Sequence, residues 1–286
     1  MRSDFAIFIL THGRAGNVET FETLRRSGYT GKIYLVIDDE DAQGDEYRRR
    51  YGDRVLVFSK KEMEGTFDAG DNHDRRNVII YARNVCFRLA REVGVRYFME
   101  LDDDYTGFLY TFTGGMRSKR VSIRKTFDGM IDALLDFFVR VPNLLTIATA
   151  QGGDFIGGEK AEVRLKRKAM NSFLCDVERP FSFVGRVNED VCTYVLSAIR
   201  GGLMFTTTAV QLNQIQTQQN AGGMTTEYRE SGTYIKSFYT VMMAPSCVRI
   251  SDMGRYDRRI HHKIRWANAA PKILREDVSR RDLPPA

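Results

Sequence analysis

No stretch of this chain is apolar for the length a membrane span requires, and Met1-Arg2-Ser3-Asp4 leads into a strand-like segment without a signal-peptide pattern. Cysteine is scarce: Cys86, Cys175, Cys192 and Cys247 lie far apart and form no CxxC pair. They are expected to be reduced, structural thiols in a protein of the cytoplasm. Helix-turn-helix and zinc-finger spacings are both missing, so strong sequence-specific reading of a nucleic acid is not expected. There is no internal repeat, low-complexity tract or inter-domain linker. One domain over 1–286 is expected.

What is present in excess is positive charge, 43 Lys and Arg against 37 Asp and Glu, for a net charge of +6. It is bunched. Residues 115–125 carry Arg117, Lys119, Arg120, Arg124 and Lys125 with no acid; Arg164, Lys166, Arg167 and Lys168 form a second run. A third holds Arg255, Arg258, Arg259, Lys263 and Arg265 against Asp257 alone. Three such runs around a carboxylate-rich centre suggest a polyanionic partner, although any single run is equally well a solvated face.

The hydrophobic pattern alternates strands with helices. Residues 5–10 are a continuous apolar run of β-favouring residues, as a buried parallel strand requires, and 32–37 and 54–58 repeat the type. Asn17 is placed to cap a helix showing Val18, Phe21 and Leu24. Helices are expected over 75–92 and 126–139, strands over 97–101, 144–150, 173–177 and 203–205, and a helix after a capping Asn188. The polar segment 59–74 reads as a loop over the active face, and 208–232 as a lid; 233–250 reads as helix or strand. Gly152-Gly153 and Gly157-Gly158 flank residues 154–156 and allow close backbone approach. The expected class is α/β, helices packed on a mostly parallel sheet.

One strand ends unlike the others. After Tyr97-Phe98-Met99-Glu100-Leu101 come Asp102, Asp103 and Asp104, then Tyr105. Three adjacent carboxylates repel one another and are costly to desolvate unless a cation or several donors meet them. At the carboxyl end of an α/β strand they suit a divalent-metal site serving a phosphate-bearing ligand. An acidic turn after an edge strand is the plainer alternative.

The order of these signals resembles the nucleotide-sugar glycosyltransferases of the A-type fold, a Rossmann-like sheet with an acceptor lobe. Thr11-His12-Gly13-Arg14 ends the first strand and Asp38-Asp39 the second. Ala82-Arg83-Asn84 resembles an ARN signature, Asp102-Asp103-Asp104 the DxD motif and Glu189-Asp190 the later ED motif. Within that superfamily the chain is similar to the TET-associated glycosyltransferases, encoded largely by phages. The features behind the narrower likeness are Gly185 to Asp190, Gly222-Gly223-Met224-Thr225 and Gly232-Thr233-Tyr234-Ile235-Lys236-Ser237-Phe238-Tyr239.

The resemblance implies an enzyme that moves a sugar from a nucleoside diphosphate sugar, UDP-glucose or UDP-N-acetylglucosamine, to the hydroxymethyl group of a 5-hydroxymethylpyrimidine, 5-hydroxymethylcytosine before the uracil derivative, in double-stranded DNA. The setting would be a phage-infected bacterial cell. Residues 1–110 would form the nucleotide-binding half and 111–286 the acceptor and catalytic half. Asp104 is the first choice for ligating Mn²⁺ or Mg²⁺, with Asp102 on the ribose or a metal-bound water, Asp103 near metal or sugar, and His261 or His262 completing the shell. Thr11, His12, Arg14, Asp38 and Asp39 would frame the nucleotide. Arg83 would reach the diphosphate, or else pair with a nearby aspartate. Asp190, beside Glu189, is the expected base, with Asp154 in reserve. Tyr105, Phe108, Tyr110 and Phe112 are core residues or a stacking surface for a base.

Three other functions compete. An A-type glycosyltransferase acting on a glycan, lipid carrier or protein explains the donor motifs equally. A non-catalytic nucleic-acid-binding protein would need no metal and no donor. A nucleotidyltransferase shares sheet and carboxylates but adds a glycine-rich, lysine-bearing phosphate loop, where this chain has Thr11-His12-Gly13-Arg14.

Overall fold

The computed structural model describes residues 1–73, 76–114, 117–155, 165–215, 232, 234–253 and 259–271. Expectations for Gly157-Gly158, Arg164, Gly222 to Thr225, Thr233, Arg255 and Arg258 fall outside those residues. The strands are β1 Phe5–Leu10, β2 Lys32–Asp38, β3 Val55–Phe58, β4 Tyr97–Asp102, β5 Tyr105–Gly114 and β6 Arg117–Ser122. They continue as β7 Leu144–Ala150, β8 Ser172–Asp176, β9 Leu203–Gln214, β10 Val248–Met253 and β11 Arg259–Ile264. The helices are α1 Glu19–Arg26, α2 Gly44–Tyr51, α3 Lys60–Met63, α4 Ile80–Glu92, α5 Phe127–Arg140, α6 Glu189–Ile199 and α7 Ile235–Met243. No helix among the described residues is long and apolar enough to cross a membrane.

Among the described residues, nine strands form one sheet in the order β3-β2-β1-β4-β8-β7-β9-β5-β6, and β10 and β11 form a separate hairpin. The strands β3, β2, β1 and β4 are parallel, as are β7 and β9. Antiparallel pairing joins β4 to β8, β8 to β7, β9 to β5 and β5 to β6. The chain therefore builds β1, β2 and β3 in one direction, then returns to place β4 on the other side of β1. That reversal leaves a crevice at the carboxyl ends of β1 and β4, where ligands bind in open α/β sheets.

The apolar run of β1 serves both faces of the sheet. Ala6, Phe8 and Leu10 join the cluster under α4 and α6, where Phe8 stacks on Phe98 at 5.4 Å. Phe5, Ile7 and Ile9 join the opposite cluster, with Leu24 of α1 and Phe127, Ile131 and Leu135 of α5. Each such side chain contributes about 1.5–3 kcal/mol by leaving water. A strand clad on both sides holds its carboxyl end still.

Several local expectations change. α4 begins at Ile80, not at residue 75. Asn17 does not cap α1: its N–H donates to Arg14 O at 2.9 Å, and Val18 occupies the cap position without a side-chain bond. Asn188 precedes α6 in the left-handed conformation, φ 62°, and its amide donates to Thr240 Oγ1 at 2.6 Å instead of capping. Residues 208–214, expected in a lid, instead continue β9 on cross-strand bonds to β5 and β7, and 216–231 lie outside the described residues. The aromatic stripe divides. Tyr105 and Phe108 are core, Tyr110 is partly buried and Phe112 is 55% exposed.

Candidate active site

The crevice between β1 and β4 is a cleft of about 430 Å³ lined by Gly13, Arg14, Gly16, Asn17, Glu19, Gln43, Asp103, Asp104 and Ile215. Its floor is the acidic turn, held by the start of α1. Thr20 N–H donates to Asp103 O at 3.1 Å and Thr20 Oγ1 to Asp102 O at 2.6 Å, while Tyr105 N–H donates to Thr20 Oγ1 at 2.9 Å. From the other side Ile215 N–H donates to Asp104 O at 3.1 Å.

The three carboxylates have three different fates. Asp102 accepts from Arg83 Nη2 at 3.1 Å. Asp103 is buried and accepts from Thr11 Oγ1 at 2.7 Å and from Arg14 Nη1 at 2.5 Å. Asp104 is half-buried, lines the cleft and has no salt bridge among the described residues. Its carboxyl is pushed up to about 7, first by burial and then by the charges of Asp102 and Asp103. A nearby cation would favour the ionised form of a carboxylate so placed.

The first loop is fixed by residues that sequence reasoning passed over. The Tyr47 hydroxyl on α2 lies 2.8 Å from Thr11 Oγ1 and accepts the Arg14 N–H at 2.8 Å. Gly13 has φ +68° and donates its N–H to Asp41 Oδ2 at 2.7 Å, a backbone shape that suits glycine. Ala15 N–H donates to Gln43 Oε1 at 2.8 Å. Beside this loop, Asp38 at the end of β2 meets His12 Nδ1 at 2.7 Å and Lys60 Nζ at 3.0 Å. The hydrogen bond to Asp38 raises the His12 imidazole, so the ring is held as a cation to a higher pH than usual. Asp39 is exposed and accepts the Lys60 N–H at 3.1 Å. The paired acids ending β2 were the one sequence sign that a cation such as Lys60 must lie nearby.

Arg83, expected to reach a diphosphate, is 2% exposed and takes the alternative course. Its Nε donates to Glu189 Oε1 at 3.1 Å, Nη2 meets Asp102, Nη1 is 3.6 Å from Glu100 Oε2, and the guanidinium lies 4.8 Å from the Phe173 ring. One buried cation thus ties the acidic turn to the start of α6. Burial pushes Glu100 up to about 8, with Arg83 opposing it. Arg83→Met should cost about 3–5 kcal/mol, because it strands buried carboxylates. The loss should be larger at pH 8 than at pH 6, since Glu100, which burial pushes up to about 8, sheds its proton over that range beside Arg83. Denaturant melts at the two pH values measure it; an unchanged midpoint would contradict the role.

The 185–190 loop is also clamped. Arg186 is buried, with Nε on Asp71 Oδ2 and Nη2 on the Tyr239 hydroxyl, each at 2.8 Å. Asn84 exchanges two bonds with Phe183, 3.0 Å to its O and 2.8 Å from its N–H. Asp190 is 8% exposed, accepts its neighbour Val191 N–H at 2.7 Å and is pushed up to about 7 by burial and then by Glu189. Asp154, the reserve base, is paired with Lys168 and with Lys166, the latter at 3.4 Å, and its carboxyl is lowered. A carboxylate neutralised in this way is a poor proton acceptor.

Among the described residues, no three His, Cys, Asp or Glu side chains are gathered into a ready-made metal shell. His261 and His262 therefore do not form one with the acidic turn. They lie on β11, with His261 Nδ1 2.9 Å from His262 O; burial pushes the His262 ring down to about 4. A hard divalent ion that arrives with a nucleotide needs only one or two protein carboxylates, the phosphates supplying the rest. Asp104 fits that need.

The TET-associated glycosyltransferase family model matches residues 5–223, and the chain belongs to that family. It is a glycosyltransferase. Among solved structures, glucosyl-3-phosphoglycerate synthase from Mycobacterium tuberculosis with Mg²⁺ and UDP is 7% identical, with TM-score 0.49, over 92% of this chain and 88% of that one. The same enzyme with Mn²⁺, UDP and glucosyl-3-phosphoglycerate is 9% identical, with TM-score 0.49, over 92% and 88%. No curated protein matches.

Proposed function

We propose that this glycosyltransferase takes a uridine diphosphate sugar and glycosylates the hydroxymethyl group of 5-hydroxymethylcytosine in double-stranded DNA. The observation that carries the donor side is Asp104, a carboxylate with no salt bridge among the described residues, in a cleft at the switch point of the sheet. The family supports the DNA side. Asp104, with Asp102 behind it, would hold Mn²⁺ or Mg²⁺, which neutralises charge on the departing diphosphate. Arg14 lies in the same cleft and pairs with Asp103 alongside. His12, Asp38 and Asp39 frame the nucleoside.

Asp190 is the base. Its carboxylate takes the hydroxymethyl proton while the freed oxygen bonds to the anomeric carbon. The bond from that carbon to the diphosphate oxygen breaks, and its electron pair leaves with the diphosphate. Arg83 acts at one remove, holding Glu189 and Asp102 so that base and acidic turn keep their spacing.

The test combines the protein, Mn²⁺, a panel of sugar nucleotides, and DNA with or without hydroxymethylated pyrimidines. A hexose-sized mass gain on the modified base alone is the expected result. Nucleotide release indifferent to DNA would hand the acceptor to a glycan or protein. The rate should also rise with pH through about 7, because Asp104 and Asp190 must both be ionised and burial holds both up to about that value. A rate that falls over the same range would contradict both roles.

A further inference from the structure

The basic runs have different neighbours. In the second, Lys166 and Lys168 are paired with Asp154, while Arg167 lies 5.3 Å from the Trp266 ring and donates to Ala269 O at 2.8 Å. The run on β6 and the turn after it is otherwise placed. Between Asp104 and Asp128 the chain has no acidic residue. Lys119, Arg124 and Lys125 are exposed, and none makes an ion pair among the described residues.

These cations share a built edge with apolar rings. β6 is the outermost strand of the sheet, and its Lys119 sits directly across from Phe112 on β5. Opposed residues in an antiparallel pair point to the same face, as do residues two apart along a strand. Phe112 therefore shares its face with Tyr110 and Val121, the two rings 6.1 Å apart. The Tyr110 hydroxyl donates to Thr126 O at 3.2 Å, next to Lys125.

The turn bearing Arg124 and Lys125 is rigidly seated. Ile123 N–H donates to Phe108 O at 2.8 Å and Phe127 N–H to Ser27 O at 3.2 Å. Lys125 has φ 62°, and a Cβ added at Gly28 would come within 2.3 Å of its Cα. From Lys119 to its end at Ser122 the strand spans about 10 Å at its usual rise, the length of about three base pairs, and the turn carries Arg124 and Lys125 beyond it.

We propose that this edge binds the nucleic-acid substrate, with Lys119, Arg124 and Lys125 on phosphates and Phe112 stacked on an unpaired base. The argument for the occupant is charge. A row of cations that make no ion pair among the described residues, beside the exposed ring of Phe112, suits a polyanion whose units carry flat rings. The inference rests on the DNA acceptor proposed above and adds where the strand lies. β5 starts at the residue after Asp104, so the edge is continuous in sequence with the donor cleft.

Anisotropy titrations of labelled duplex and single-stranded oligonucleotides, at several salt concentrations, test it. Wild type is compared with the triple variant K119Q/R124Q/K125Q and with Phe112→Ala. The triple variant should flatten the plot of log affinity against log salt by roughly 2–3, about 0.9 for each phosphate that the protein no longer neutralises. Phe112→Ala should weaken single-strand binding on the order of tenfold. Donor affinity should not change in either, since the altered side chains are exposed and outside the cleft. A wild-type salt slope in the triple variant would overturn the inference even if the enzyme glycosylates hydroxymethylated DNA. A flattened slope in an enzyme that leaves such DNA unmodified would uphold the edge and refute the acceptor.

Discussion

Asp104→Asn is expected to lower sugar transfer by at least about a hundredfold and to weaken the donor with it, since cation stabilisation of a leaving phosphate supplies several kcal/mol. The substitution is nearly isosteric and disturbs no ion pair, because among the described residues the Asp104 side chain has none. Its backbone O, which receives the Ile215 N–H, is untouched. The sign of the stability change separates this site from a structural one. The Asp104 carboxyl is held above its ordinary value by burial and by Asp102 and Asp103, so its ionised form is disfavoured in the fold. Stability is thus withdrawn as pH climbs from the unfolded value towards about 7. The amide should therefore melt no lower than wild type at pH 8, while activity is lost. A structural aspartate would lose both. Cation binding should also release a proton below pH 7, and affinity should fall as acidity rises.

Asp190→Asn carries the second large effect, a fall in kcat of about 10²–10⁴-fold with donor affinity spared. Single-turnover assays against equilibrium donor binding separate the two quantities. Asparagine keeps an oxygen for the Val191 N–H, so the first turn of α6 should be retained. The rise in rate through about pH 7 should lose the limb that belongs to Asp190, leaving the one from Asp104. Glu189 cannot stand in, because Arg83 Nε already holds it at 3.1 Å. Turnover unchanged from wild type would remove Asp190 as the base.

The strands that build the site were legible because their residues pack on both faces. Phe5 to Leu10 admits no amphipathic helix, and 144–150 matches β7 to the residue. The long α5 showed itself through Phe127, Met130, Ile131, Leu134, Leu135 and Phe138, all buried. α2 did not, since Gly-Asp-Glu-Tyr-Arg-Arg-Arg-Tyr buries only Tyr47 and has no periodic face to read. Yet Tyr47 sets the first loop. Partners far apart in sequence were similarly hidden: Lys60 with Asp38, Arg83 with Glu189 and Asp71 with Arg186. Composition also could not tell which basic run is neutralised internally. Asp154 reads as a possible base from its adjacent glycines, whereas its pairing with Lys166 and Lys168 is set only by the fold.

Calorimetric titration of Mn²⁺ with a uridine diphosphate sugar, into wild type and Asp104→Asn at pH 8, addresses the cation seat most directly. Metal-dependent donor binding to the wild type, lost in a variant that melts no lower, is the predicted result. Equal binding by both proteins, or donor binding indifferent to the metal, would contradict it.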